Sequence, residues 1–462
     1  MAFTDRAERS PGAKLAFAIL VAALLAIPLF TVYLLVYDRE SQSRTATASI
    51  AEGWGGPQTI AGPVLAIPYQ TDATETVTEA GRQVTRVNRV WRELEIAPDV
   101  ADIKSSLAPE RRKRSIYEVV VYSARNEGST RFALPADLAR YGVSADALAY
   151  DRAELRFGLS DARGLYGPPP SVTVDGQTRA LQPGKGPRET GGSGFFAPID
   201  ASAIRDRPLV TQFAFDFRGN GSLTLSPRAG DTRWQVTSPW QHPSFQGGFL
   251  PTGHSLTKDG FAASWRVGNL ALGTALVATN APTEGSQTRD VYAAADVAGD
   301  HQASVTLITP VDLYSQVNRS VKYGFLFIGF TFMAFLLFDV VGGVRVSAVE
   351  YLLVGAGLVL FFVMLLAFAE VIGFTPAYLL AAAMIIGLLT AYSAAVLKSR
   401  RRAGYIAGLL VALYAVLYVL LSLEAYSLLI GSLLLFAALA SIMYLTRNLE
   451  WGARPGAPES AA

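Results

Sequence analysis

Two long apolar runs, residues 377–397 and 403–421, are separated by Lys398-Ser399-Arg400-Arg401-Arg402, which carries four positive charges. Each run is about 20 residues, and at roughly 1.5 Å per helical residue it spans a hydrocarbon core of roughly 30 Å. Four further runs have the same character, at 15–37, 323–341, 351–369 and 425–445. The chain is therefore expected to be an integral membrane protein with six α-helical spans.

The basic loop also gives the spans a direction, because loops with clustered Lys and Arg stay on the cytoplasmic side. With 398–402 inside, the loop at 341–350 with Arg345 falls inside too. So do the amino terminus, with Arg6, Arg9 and Lys14, and the tail, with Arg447 and Arg454. The loops 370–376 and 422–424 fall outside and hold no Lys or Arg. Tyr323, Tyr351, Tyr378, Tyr405 and Tyr444 near the run ends suit the interfacial belt. The expected order is a cytoplasmic terminus (1–14), an anchor (15–37), a periplasmic domain (38–322), a five-helix block (323–445) and a disordered cytoplasmic tail (446–462). The first run is too long for a signal-peptide core of about 7–15 residues. Asp38, Arg39, Glu40 and Arg44 also separate it from the cleavage-like Ala46-Thr47-Ala48, so it reads as an uncleaved anchor with a potential kink at Pro28.

With 51% hydrophobic and 17% charged residues, the chain combines a membrane block with a water-soluble domain. Its net charge of +2 points to no nucleic acid. The absence of cysteine removes disulfides, thiolate catalysis and iron–sulfur clusters, so the soluble domain must be held by its core.

That domain has the periodicity of strands. Phe213, Phe215 and Phe217 alternate with smaller or polar residues, Gly219-Asn220-Gly221 follows, and Leu223 and Leu225 alternate again, which reads as a β-hairpin. Similar alternation occurs at Leu155/Phe157/Leu159 and at Val172/Val174 before an Asp175-Gly176 turn, with further strands at 117–122 and 304–308. The expected fold is mainly β, a sandwich or open barrel, with the glycine-rich 184–194 able to divide it into two lobes. Arg111-Arg112-Lys113-Arg114 reads as a solvated turn, against the alternative of contact with anionic headgroups or an envelope polymer.

Motifs that carry chemistry are few. His242, His254 and His301 have no metal-ligand spacing, and Gly191-Gly192-Ser193-Gly194-Phe195 lacks the last glycine of a nucleophile elbow. A carboxylate pair assembled by the fold stays open. No cofactor, metal or catalytic residue is expected. Asp339, Glu350, Glu370 and Glu424 stand near run ends and read as membrane-boundary acids rather than a relay. Gly404 and Gly408 form a GxxxG pair suited to close helix packing, including across a homo-oligomer. The stretch 238–251 is unusual in being rich in Pro, Gly and aromatics at once. Trp240, His242, Pro243, Phe245 and Phe249 are candidates for a recognition surface, against the alternative of a loop folded back to cap the β core.

At this stretch the chain resembles the CreD family of bacterial inner-membrane proteins. So do Trp54-Gly55-Gly56-Pro57-Gln58 with Gly62-Pro63-Val64-Leu65-Ala66-Ile67-Pro68-Tyr69, Thr331-Phe332-Met333-Ala334-Phe335, Tyr351-Leu352-Leu353-Val354-Gly355, and Leu445-Thr446-Arg447-Asn448 with Glu450-Trp451. The resemblance implies one anchor, a periplasmic β domain and a helical block, in proteins whose altered expression changes envelope integrity and tolerance to colicins or β-lactams. It assigns no catalytic residue or ligand.

The leading expectation is a non-enzymatic envelope protein. Its partners would be the lipid bilayer and an unidentified periplasmic or membrane protein or envelope polymer. A transporter of lipid or neutral cargo would need a polar cavity between helices. A wall-active hydrolase would need two carboxylates about 5–10 Å apart in a cleft.

Overall fold

The computed structural model describes residues 11–79, 82–114, 117–279, 301–308, 313–340, 348–396, 399–422 and 427–447. The chain divides into two compact units, Thr45–Pro310 and the combination of Met1–Arg44 with Val311–Ala462.

The first unit holds two sheets. The nine-stranded sheet runs β13 (Pro243–Gly247), β17 (Ala303–Leu307), β11 (Ser222–Ser226), β1 (Gln58–Glu79), β5 (Ala153–Leu159), β9 (Gly194–Ile199) and β8 (Gln182–Pro183), with β2 (Arg82–Ile96) paired to β1 and β16 (Val277–Thr279) to β2. The eight-stranded sheet runs β14 (Gly253–Thr257), β15 (Gly260–Gly268), β12 (Asp231–Ser238), β3 (Val100–Arg114), β4 (Tyr117–Phe132), β10 (Leu209–Asn220), β6 (Ser171–Val174) and β7 (Gln177–Thr178). Alternate side chains of both sheets meet in one core, with Leu65, Ile67, Leu94 and Leu155 on one side and Ile103, Tyr122, Phe217 and Trp234 on the other. Phe157 meets Phe213 across it at 5.3 Å, and Phe195 meets Phe215 at 5.4 Å.

The domain is mainly β, as expected, and of the two alternatives, sandwich and open barrel, its two sheets packed on one core form the first; three local readings change. β10 and β11 are not a hairpin: they belong to different sheets, β10 pairing with β4 and β6, β11 with β1 and β17. Gly221, at φ 65°, is the corner where the chain crosses between sheets. Alternation reports which side chains are buried, and both strands bury theirs in the same core; it does not report which strand is the neighbour. The basic run is not a turn either. It forms the end of β3, in register with β4 as far as the Arg114–Tyr117 pair. The segment 184–194 does not part the domain into lobes: the Gly184 and Gly186 amides bond to the Gly194 and Gly192 carbonyls, folding it onto the end of β9. The Asp175-Gly176 turn forms as expected, joining β6 to β7 with positive φ at both residues.

The second unit is helical, containing most of α1 (Pro11–Trp54), then α2 (Leu313–Lys322), α3 (Gly324–Val340), α4 (Ala348–Ile372), α5 (Phe374–Val396), α6 (Arg400–Ser422) and α7 (Ser427–Thr446). Among the described residues four helical stretches, not the expected six, are long and apolar enough to cross a membrane: Leu15–Ala46, Val349–Ile372, Phe374–Val396 and Arg400–Leu421. The runs at 323–341 and 425–445 are helical too. However, α3 has only 17 residues, and several side chains of the 20-residue α7 lie outside those described. Leu313–Lys322, which carries no long apolar run and falls within the expected domain 38–322, is instead a helix of this unit, with Tyr314, Val317, Ser320 and Val321 along its buried face.

The anchor packs through one stripe, Ala18, Val21, Leu25, Leu29, Val32 and Val36, all buried. Leu25 fills a notch left by Gly355, where any Cβ would collide with its side chain, and Leu29 lies with Phe362 against Gly324. Gly404 and Gly408 have open space where a Cβ would stand, so they pack no helix among the described residues.

Candidate functional site

The stretch 238–251 leaves the eight-stranded sheet at the end of β12, adds β13 to the other sheet and returns as β14. It is a strap across one edge of the sandwich, and its aromatics fill the gap it crosses. Phe245, half-buried, packs edge-on against Phe261 at 6.0 Å and Trp265 at 5.7 Å, and lies 5.4 Å from His254. Phe249 is half-buried, and its carbonyl accepts a hydrogen bond from Trp265 Nε1 at 3.1 Å. Trp240 is half-buried, and its Nε1 donates to the Ile308 carbonyl at 3.0 Å. Pro243 opens β13 opposite Leu307, while His242 is exposed, its carbonyl accepting from the Ile308 amide. Phe245 and Phe249 therefore close the fold, and His242 and Leu250 are among the strap residues exposed to solvent.

A second cluster adjoins Trp240. The Gln58 side chain, 1% exposed, donates to the carbonyls of Asp161 (3.1 Å) and Arg218 (2.9 Å). Its oxygen accepts from Ser160 Oγ (3.2 Å) and the Asp161 amide (3.1 Å). Both ends of the carboxamide are satisfied, as burial requires. A Cβ on Gly55 would stand 2.7 Å from the Arg218 carbonyl and one on Gly164 2.6 Å from the same atom, so both positions need glycine. Tyr122 donates to the Ser222 carbonyl at 2.8 Å; burial pushes its hydroxyl well above the usual phenol range, which keeps it a donor.

Trp54, the last residue of α1, lies on this platform and carries two guanidinium groups, Arg112 at 3.7 Å and Arg218 at 4.1 Å from its ring centre. Arg218 also lies 4.4 Å from the Tyr166 ring, and Arg111 lies 5.5 Å from Trp240. The basic end of β3 is thus laid on two indoles. It keeps ion pairs with acids of its own hairpin, Arg112 with Glu110 at 2.6 Å and Arg111 with Glu118 at 3.4 Å, and Lys113 is exposed. Periodicity could not find this cluster, since its members come from α1, β3, β10 and the strap.

Carboxylates do approach one another elsewhere, but around cations. Arg156 bonds Glu93 at 2.7 and 2.9 Å and Glu154 at 2.7 and 3.0 Å, and Lys185 also meets Glu154. Burial alone would raise the Glu154 carboxyl, but hydrogen bonds and charge from Lys185 and Arg156 outweigh it and hold it below the usual range. That arrangement suits a clamp rather than a proton donor. Among the described residues no His, Asp and Glu group has the make-up of a metal site. A cleft of about 840 Å³ lined by Leu134, Leu138, Val143, Ile204 and Arg205 lies where β4 ends and β10 begins. A polar groove of about 690 Å³ crosses the outer face of the eight-stranded sheet over Lys104, Glu127, Gln212 and Gln235.

Of the acids near run ends, Glu370 is not a bare boundary residue. It accepts from Tyr314 Oη at 3.3 Å and lies 4.0 Å from Arg39 Nε, so one carboxylate joins α1, α2 and α4. The Asp339 side chain and all of Glu424 lie outside the described residues, as does the tail beyond Arg447.

Comparison with known proteins bears on the whole chain. A family model described as "Inner membrane protein CreD" matches residues 10–452. Inner membrane protein CreD of Escherichia coli (strain K12) is 30% identical over 436 residues, covering 93% of this chain and 91% of that protein.

Proposed function

Because the chain belongs to the CreD family of inner membrane proteins, we propose that it is an envelope-maintenance protein whose β domain lies in the periplasm. In this reading the domain acts by contact rather than by catalysis, on an envelope protein or polymer. On the same reading α3 and α7 cross the membrane beside the four longer apolar helices, and both termini lie in the cytoplasm. The observation that carries the reading is charge asymmetry: four basic residues between 398 and 402 against none between 370 and 376. It is supported by carboxylates clamped on arginine, and by a disulfide-free core of aromatic and aliphatic side chains.

An export-dependent reporter inserted at the exposed Asp175-Gly176 turn tests placement. Activity is expected there and absent from a fusion at Ser399; the reverse pattern overturns the reading. Photo-crosslinking from His242 and Leu250 in cells tests the partner: a discrete adduct is expected, and none from either position removes the strap as a contact surface. A second reading, handling of lipid or neutral cargo, draws on Glu370 with its Tyr314 and Arg39 contacts and on Thr331 and Ser393, both buried within the helical unit.

A further inference from the structure

We infer that the end of the β domain where Arg111, Arg112 and Lys113 meet Trp54 and Trp240 binds the anionic phospholipid headgroups of the membrane that the protein's own helices cross. Covalent reach is the first argument. Trp54 follows the apolar run 15–37 by seventeen residues of the same helix, a rise of about 26 Å. Ile308, whose carbonyl holds the Trp240 indole, precedes Leu313 by five residues, at most about 18 Å of extended chain. Adjacent residues of β3 touch both junctions, Arg112 at Trp54 and Arg111 at Trp240. The two chain segments that enter the helical unit therefore leave the domain beside this cluster, so this end of the domain is the one tethered to the membrane-crossing helices.

The chemistry is the second argument. Guanidinium groups bind phosphate oxygens in pairs, and indoles favour the headgroup layer. The Arg111 and Arg112 side chains are 53% and 47% exposed even with their Glu partners in place. Between 110 and 118 the sequence holds four basic and two acidic residues, a net charge of +2. A solvated strand end needs no tryptophan beneath each arginine. An anionic polymer would be better served by a groove, and this surface is a strand end lying on two rings. The inference holds in whichever leaflet the domain faces, so it stands or falls separately from the periplasmic placement.

The chain has no cysteine, so Ala108→Cys on the exposed face of β3 gives a single labelling site. The full-length protein is spin-labelled there and placed in nanodiscs of phosphatidylcholine, with or without phosphatidylglycerol. Accessibility to a water-soluble nickel chelate is expected to fall about twofold when the anionic lipid is present. It should recover in about 1 M salt, where the screening length is roughly 3 Å. It should recover as well in Arg111→Gln/Lys113→Gln, which spares the Arg112 contact with Trp54. Equal accessibility in both lipids overturns the inference, as does protection that survives both salt and substitution. Protection seen only on adding a soluble anionic glycan would assign the surface to a polymer instead. The salt arm uses the unsubstituted charges, so misfolding of the double variant cannot decide the outcome.

Discussion

The Gln58 carboxamide donates a hydrogen bond to the Arg218 carbonyl at 2.9 Å, across 160 residues of chain. That bond joins the first strand of the domain to the strand whose guanidinium lies over Trp54. Gln58→Leu leaves two carbonyls, an amide and a hydroxyl without their partner in a buried place. At about 1–3 kcal/mol for an unsatisfied buried group, with partial relaxation, a loss of roughly 2–4 kcal/mol is expected. Denaturant unfolding of the purified protein, followed by tryptophan fluorescence, measures it; a change within about 0.5 kcal/mol contradicts the hub.

Gly355→Val tests the seat of the anchor. The added side chain meets Leu25, and overpacking of this kind costs roughly 1–3 kcal/mol. Gly404→Val and Gly408→Val meet open space and are expected to leave the monomer's thermal stability in detergent unchanged. Equal damage from all three would show that the outward glycines pack against a partner, which a cross-linking ladder would then reveal.

Phe245→Ala separates closure from recognition. The ring sits among Phe261, Trp265 and His254, so its loss is expected to cost about 2–3 kcal/mol, toward the low end for a half-buried phenylalanine. Leu250→Ser, at a side chain 65% exposed, should be silent in the same melt. A silent Phe245→Ala would return that residue to the list of contact candidates.

The clamp on Arg156 predicts acid sensitivity. The Glu154 carboxyl titrates below its ordinary value of 4.5 in the folded protein. The stability it contributes is fully present above that value and drains away as pH falls through the folded one. Glu154→Gln should lower the melting temperature at pH 7 and flatten the decline of melting temperature on the acid side. An unchanged acid slope would mean that other carboxylates govern it.

What the sequence determined follows from properties that a local stretch possesses by itself. An apolar run at 351–369 must be helical to cross lipid, and alternation at 213–217 must bury one face, whatever surrounds them. Tertiary structure decided every relationship between distant residues. It separated β10 from β11 into opposite sheets and turned the basic run into a strand end resting on Trp54 and Trp240. It gave Leu25 its notch at Gly355 rather than leaving packing to Gly404, and it brought Glu370 to Tyr314 and Arg39. The physical reason is common to all of these. Burial is written in a residue's own type and spacing, whereas the identity of a contact is fixed only when segments tens or hundreds of residues apart close around one core.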